Sequence, residues 1–352
     1  MNRMITTIIG ILFLQNIAFA QTPTHTPKDP HWKSTPEWED NFSNLNNWLP
    51  VPYTDHWGTK IHLCLEKNIW LNNNGNLVIA VNNEFASCPN PAPPVVSWAS
   101  GSCTAGKFYS YTGGWIETKN NNNTKTQFGY IEARMKIPYR PGLYLSFWTF
   151  IKEGSVGNAA EIDIFEIRGM YPYNVLPTNV HTDYNIYEGF DYDIIIPDPN
   201  FTYTDWHNYA IEWDANRIIW YVDGIARRVL NNHGVIDPVR IIFSMGTDQY
   251  PFSPKPPLYP LFQDSVLIDY FKVYHLQCDN TPVINPNFAS YDYKVKKSII
   301  MGGATTVPQN SNIVLRATDF IELQPGFEVP LNTEIYLDVT PCVGNKIGKK
   351  ED

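Results

Sequence analysis

Between Gly129 and Ile137 the chain alternates without a fault. Ile131, Ala133, Met135 and Ile137 fall on one side of an extended chain, and Tyr130, Glu132, Arg134 and Lys136 on the other. A period of two belongs to a strand, here with one face in a core and one in water. Leu143 to Phe150 (LYLSFWTF) is apolar and aromatic on both sides, the pattern of an inner strand. Short strand-like runs recur at Leu77–Val81, Gly113–Lys119, Asn179–Tyr184, Arg240–Met245 and Val266–Leu276. Asp205 to Gly224 reads as a hairpin, with strands Tyr209–Trp213 and Ile218–Val222. Asn72 to Asn76 and the Cys-, Pro- and Gly-rich stretch 87–106 read as turns and loop. Long amphipathic helical patterns are missing, so the expectation is an all-β sandwich of two large sheets.

The texture changes near Cys278. Asn280 to Asn287 (NTPVINPN) reads as a connector, and short runs follow at Ser298–Met301, Ile313–Ala317, Phe320–Leu323 and Ile335–Val339, with a turn at Gln324-Pro325-Gly326. Residues 278–352 are expected to form a second, smaller β module with a charged tail. That size is near the lower limit of independent stability.

One strand departs from the pattern. Ala159 to Ile167 (AAEIDIFEI) sets three carboxylates among Ile and Phe. Unpaired charge is costly away from water, so an apolar strand has no ordinary reason to hold three acids. Glu161 and Asp163 share a face. Glu166, five positions after Glu161, points the other way in a regular strand. One β-bulge between Asp163 and Glu166 would return it to their side, and bulges often sit beside active sites. Two carboxyls on one face are what glycoside hydrolysis needs, one to protonate the leaving oxygen and one to attack or to activate water.

The chain has 352 residues, 43% of them hydrophobic, enough for a large core. A net charge of −9 excludes the electrostatic footprint of a nucleic-acid or anionic-membrane binder. Residues 1–20 read as a secretory signal: Arg3, then an apolar run from Ile5 to Leu14, then Ala18-Phe19-Ala20 as cleavage site. The apolar run is too short for comfortable spanning and no later segment approaches a membrane span. Residues 21–36 read as a proline-rich linker. The five cysteines are Cys64, Cys88, Cys103, Cys278 and Cys342. Export permits disulfides; the expectation is that Cys278–Cys342 staples the tail and that two of the first three pair.

Glu161-Ile162-Asp163-Ile164-Phe165-Glu166 resembles the E-x-D-x-x-E signature of glycoside hydrolase family 16, the laminarinase, agarase and carrageenase group. The likeness extends over roughly residues 37–277: Phe128 to Pro138, Gly142 to Trp148, Trp206 to Gly224 and Ile268 to Tyr274 are similar to that family's strands. The resemblance implies a concanavalin-like β-jelly roll with a cleft across the concave sheet, and a secreted, retaining, endo-acting hydrolase. Its polysaccharide would be a β-1,3- or mixed β-1,3/1,4-glucan, or an algal galactan. Glu161 matches the nucleophile, Glu166 the general acid/base and Asp163 the residue between them. Trp148 is the first candidate for stacking on sugar, with Trp115 and Tyr144 behind it. His181 is a candidate contact to substrate or Glu166, and Arg168 either binds sugar or pairs with an acid. No cofactor is implied for catalysis. A structural calcium on the convex side is implied at Asp269, with backbone oxygens near Glu39. Ile321 to Phe327 and Cys342 resemble an I-x-L-x-P-G-F module of secreted bacterial proteins.

Two other readings remain. A sugar-binding protein on the same sandwich would use the acids only as hydrogen-bond acceptors. A transglycosylase would pass the covalent intermediate to a sugar rather than to water. A monomer is the default expectation for assembly.

Overall fold

The computed structural model describes residues 35–54, 62–94, 102–119, 124–151, 160–169, 171–182, 188–214, 217–247, 263–275, 281–288, 296–310 and 312–339. The expected signal, most of the linker, Cys278 and Cys342 lie outside these residues.

The alternating runs become antiparallel strands in two stacked layers. The inner layer runs Trp48–Pro50, Tyr111–Thr118, Arg240–Thr247, Leu143–Ile151, Ala160–Arg168 and Val175–Thr182. Glu188–Gly189 and Tyr192–Ile195 continue its edge. The outer layer runs Ile69–Leu71, Leu77–Asn82, Gln263–Tyr274, Gly129–Lys136, Trp206–Trp213, Arg217–Val222 and Ile225–Asn231. Pairing of Asn82 with Thr112 joins the layers into one 17-stranded sheet. This is the expected all-β jelly roll. The helix among the described residues is a single 3-10 turn at Glu66–Asn68.

The core lies between the layers. Ile131, Ala133, Met135 and Ile137 enter it, as the alternation requires, beside Phe147, Phe165, Trp213, Trp220, Phe243 and Phe271. Phe147 and Phe243 stack with centroids 4.7 Å apart. The opposite side of the Gly129–Lys136 strand differs from expectation. Glu132 is 0% and Tyr130 2% exposed, so this part of the outer face is buried too. Tyr130, Tyr221 and Tyr274 pack there with Ala210 and Ile219.

Cys88 and Cys103 form a disulfide that closes the 87–106 loop, so two of the first three cysteines do pair. Cys64 is buried among Trp115, Trp148 and Phe150.

The C-terminal sheet follows another rule. Pro282–Ile284, Lys296–Met301, Asn312–Leu323 and Glu334–Val339 pair in sequence order, and every pair is parallel. Ile299 meets Ile321 and Ile313 meets Ile335, so the chain coils back on itself every 22 residues. Gly303 lies against Gly326 at the corner, where a Cβ on Gly303 would stand 3.3 Å from the Gly326 carbonyl oxygen. The two expected runs Ile313–Ala317 and Phe320–Leu323 are one strand, whose halves pair with different neighbours. Arg316 bridges to the sandwich through Asp214 at 2.7 Å.

Candidate active site

The Ala160–Arg168 strand pairs with Leu143–Ile151 in a register that breaks once. Glu161 faces Phe150, Asp163 faces Trp148, Phe165 faces Phe147 and Glu166 faces Ser146. Ile164 is therefore the extra residue, and the bulge lies between Asp163 and Glu166 as the parity of the sequence requires. It keeps Phe165 and Ile167 in the core while all three acids stay on the other side. A bulge interrupts the ladder and leaves backbone groups to be satisfied elsewhere. Trp220, reaching through the core from the outer layer, donates its indole N–H to the Asp163 carbonyl at 2.9 Å.

Asp163 is the most constrained acid. It is 1% exposed, and neither carboxylate oxygen receives a hydrogen bond from a donor group among the described residues. Burial pushes its carboxyl well above the usual range, and the charges of Glu161, Glu166 and Asp191 push the same way. Asp163 thus keeps a proton where an ordinary aspartate has lost it. Glu161 is 9% exposed and Glu166 is half-buried. The Tyr144 hydroxyl donates to Glu166 Oε1. Burial holds that phenol well above its usual range, reinforced by the Glu166 carboxylate, so it remains a donor.

His181 lies beside Glu161 on the neighbouring strand. Its Nε2 is 3.6 Å from Asp163 Oδ2 and 3.0 Å from Asn179 Nδ2. Asn179 Oδ1 accepts from the Val180 N–H at 2.8 Å, which assigns the amide so that Nδ2 is the donor. The same Nδ2 donates to Asp191. His181 Nε2 is then an acceptor and the ring neutral, and burial also lowers its pKa against the raising effect of Glu166 and Asp191. Glu161, Asp163 and His181 each offer a ligand atom within 4.8 Å of the others. Asn179 already engages the imidazole Nε2 of this set.

The aromatic candidates divide. Tyr144 touches an acid. Trp148 and Trp115 are on the cleft side, not in the main core, which resolves the direction of that strand, but they are 3% and 0% exposed. Their rings meet edge-to-face at 5.2 Å, and Trp148 Nε1 donates to Ser244 Oγ at 3.2 Å. Neither indole offers an open face for a sugar; both belong to a packed floor with Val51, Cys64, Phe150 and Ile242. The Arg168 guanidinium lies 5.7 Å from the Tyr144 ring centre. Gly246 lets His62 into the same floor, because a Cβ there would stand 2.2 Å from the imidazole. Burial lowers the His62 pKa to about 4, so it too is neutral.

The Asp269 carboxylate is engaged by other side chains in this arrangement. Its Oδ2 accepts from Arg134 at 2.6 Å and its Oδ1 from Asn76 at 3.3 Å. The guanidinium already supplies the positive charge an ion would bring.

Asn179, Asp191 and Trp220 escaped the sequence reading. Asn179 shares the face of His181 two residues on, which is a usable signal. Asp191 and Trp220 are remote in sequence from what they touch.

Comparison with known proteins agrees with this architecture. The chain is 24% identical over 234 residues to Endo-1,3-1,4-beta-glycanase ExsH of Rhizobium meliloti, covering 63% of this chain and 48% of that protein. It spans about half or less of the length of the curated relatives first matched. The laminarinase catalytic domain of Thermotoga maritima superposes with a TM-score of 0.53 at 22% identity, covering 69% of this chain and 98% of that one. The kappa-carrageenase of Pseudoalteromonas carrageenovora gives 0.52 at 16%, covering 72% and 98%. At these identities the structures speak to fold alone. The model for glycosyl hydrolases family 16 matches residues 64–249, more than half of the sequence, and the chain belongs to that family.

Proposed function

We propose that this chain is an endo-acting, retaining glycoside hydrolase that cleaves a neutral β-linked polysaccharide. The observation that carries the reading is the Ile164 bulge, which brings Glu161, Asp163 and Glu166 to one face. Glu161 attacks the anomeric carbon, the glycosidic C–O bond breaks, and Glu166 gives its proton to the departing oxygen. Water then adds to the glycosyl-enzyme, losing a proton to Glu166 and freeing the Glu161 carboxylate. Tyr144 holds one Glu166 oxygen and leaves the other to carry the proton. Asp163, kept protonated by its neighbours, is a hydrogen-bond donor available to the Glu161 carboxylate.

Among the described residues, charge supports a neutral substrate over a sulfated one. Arg240, near the acids across Phe150, is neutralised by Glu117. Arg168 is drawn over Tyr144. Secretion, with cleavage after Ala20, fits a polymeric substrate too large to enter a cell. The test is to incubate the purified protein with laminarin, lichenan, agarose, porphyran and carrageenans and analyse the products. Oligosaccharides released with retained anomeric configuration from one neutral glycan are expected. Binding without new reducing ends on the whole set would reject hydrolysis.

A further inference from the structure

Trp70 lies on Ile69–Leu71, at the margin of the outer layer, opposite Val78. It is 36% exposed and lines a hollow of about 400 Å³ with Lys67, Asn68, Asn82, Glu84 and Gln263. That volume falls within the range of small-ligand sites. A single exposed tryptophan is ordinary; the polar groups around this one are not randomly placed. Asn68, 1% exposed, donates through Nδ2 to Thr112 Oγ1 at 2.9 Å and to the Ala80 carbonyl at 3.3 Å. Its Oδ1 accepts from Asn82 Nδ2 at 3.3 Å. Thr112 in turn donates to Glu84 Oε1, and Lys67 donates to Glu84 Oε2 at 2.8 Å. One continuous network thus fixes two carboxamides and an ion pair beside an indole.

We propose that this hollow is a second carbohydrate-binding site, separate from the cleft, which holds a neutral polysaccharide chain. The indole supplies a flat apolar face for the C–H side of a pyranose. Asn82 and the Lys67–Glu84 pair supply donors and acceptors for neighbouring hydroxyls, and buried Asn68 holds Asn82 in place. Lysine and glutamate cancel each other, so the hollow selects an uncharged, hydroxyl-rich ligand. Their order is set before binding, which limits the entropy lost on association. The three acids stand on the inner layer, so a chain held here is anchored rather than cleaved. The ligand class rests on the proposed function.

Affinity electrophoresis through gels containing laminarin, lichenan, agarose or carrageenan tests the site, with Glu161→Gln as background so that the gel is not consumed. Retardation by a neutral glycan is expected. Adding Trp70→Ala is expected to weaken it about five- to tenfold, with the melting temperature held; Trp70→Phe is expected to restore part. Gln263→Ala is expected to weaken it less. Equal retardation of the Trp70→Ala and parent chains, or retardation only by carrageenan, overturns the site. Failure of the proposed function reads differently, as an active-site-intact chain that releases no reducing ends from any glycan.

Discussion

Two clusters of buried carboxylates stand on opposite faces of this sandwich. On the outer face Glu132, 0% exposed, accepts from Tyr270 at 3.0 Å and Tyr130 at 3.4 Å. Glu212, beside it, accepts from Tyr221 at 3.0 Å. Burial raises Glu132 to about 8, although the tyrosines and Lys272 oppose the rise. On the cleft face Asp163 is as buried, yet its nearest polar neighbours are other acids and a neutral histidine. The first cluster is what a fold does with a buried acid: it surrounds it with hydroxyl donors. The second gives up that satisfaction, and the unspent hydrogen-bonding and charge face a place where substrate can lie. Burial of a carboxylate therefore does not by itself mark a site; here the acid buried without a donor is the one set between two other carboxylates.

The contrast is broken most forcefully at the proposed nucleophile. Glu161→Gln is expected to lower kcat/KM by about three orders of magnitude or more, read as new reducing ends, with the fold retained. Glu132→Gln is expected to leave kcat/KM within about twofold. Tyr144→Phe removes the donor to Glu166 and is expected to lower kcat about tenfold with little change in KM, separating it from a binding residue.

Stability sharpens the same difference. Glu132→Ala removes the acceptor shared by the Tyr270 and Tyr130 hydroxyls, of which Tyr270 keeps Asn208 Oδ1 at 3.0 Å, and is expected to cost about 1–3 kcal/mol in urea unfolding. Asp163→Asn is expected to go the other way. A carboxyl whose folded pKa is raised contributes most at low pH, and that contribution is lost as pH climbs from the unfolded value, about 3.9, toward the folded one. The parent thus loses this contribution over that window, and the asparagine variant has none to lose, the Glu132 contribution being common to both. Their melting temperatures should agree near pH 3 and separate by several degrees by pH 7, with the variant higher and less active. The smallest effect is expected from calcium removal. Since Arg134 already neutralises Asp269, a chelator should move the melting temperature by less than about 1 °C.

Much of the site was legible locally. Side-chain parity is a property of neighbouring residues, so the five-residue offset from Glu161 to Glu166 was enough to require a bulge, and Ile164 supplies it. Tyr144, Trp148 and His181 were placed beside the acids because their strands neighbour the acid strand. The state of those side chains was not legible. Trp148 was expected as an open platform and is covered; exposure depends on what other segments lay over a residue. Glu132 was read as solvent-facing from alternation alone, but three tyrosines from two other strands hold its face with it. The C-terminal runs showed strand propensity but not direction. Parallel pairing in a 22-residue coil depends on where each turn lets the chain return, as at Gly303 against Gly326.

What the chain determined by itself was periodicity: which positions alternate, where the alternation must slip, and so which three acids share a side. Those are one-dimensional facts, enforced by the two-residue repeat of a strand and the cost of burying charge. Tertiary structure alone decided what surrounds them. Trp220 reaches the Asp163 carbonyl from 57 residues away, and Asp191 reaches Asn179 across a strand connection. Such contacts form because packing two layers brings distant residues within hydrogen-bonding range, which no pattern of neighbouring residues specifies.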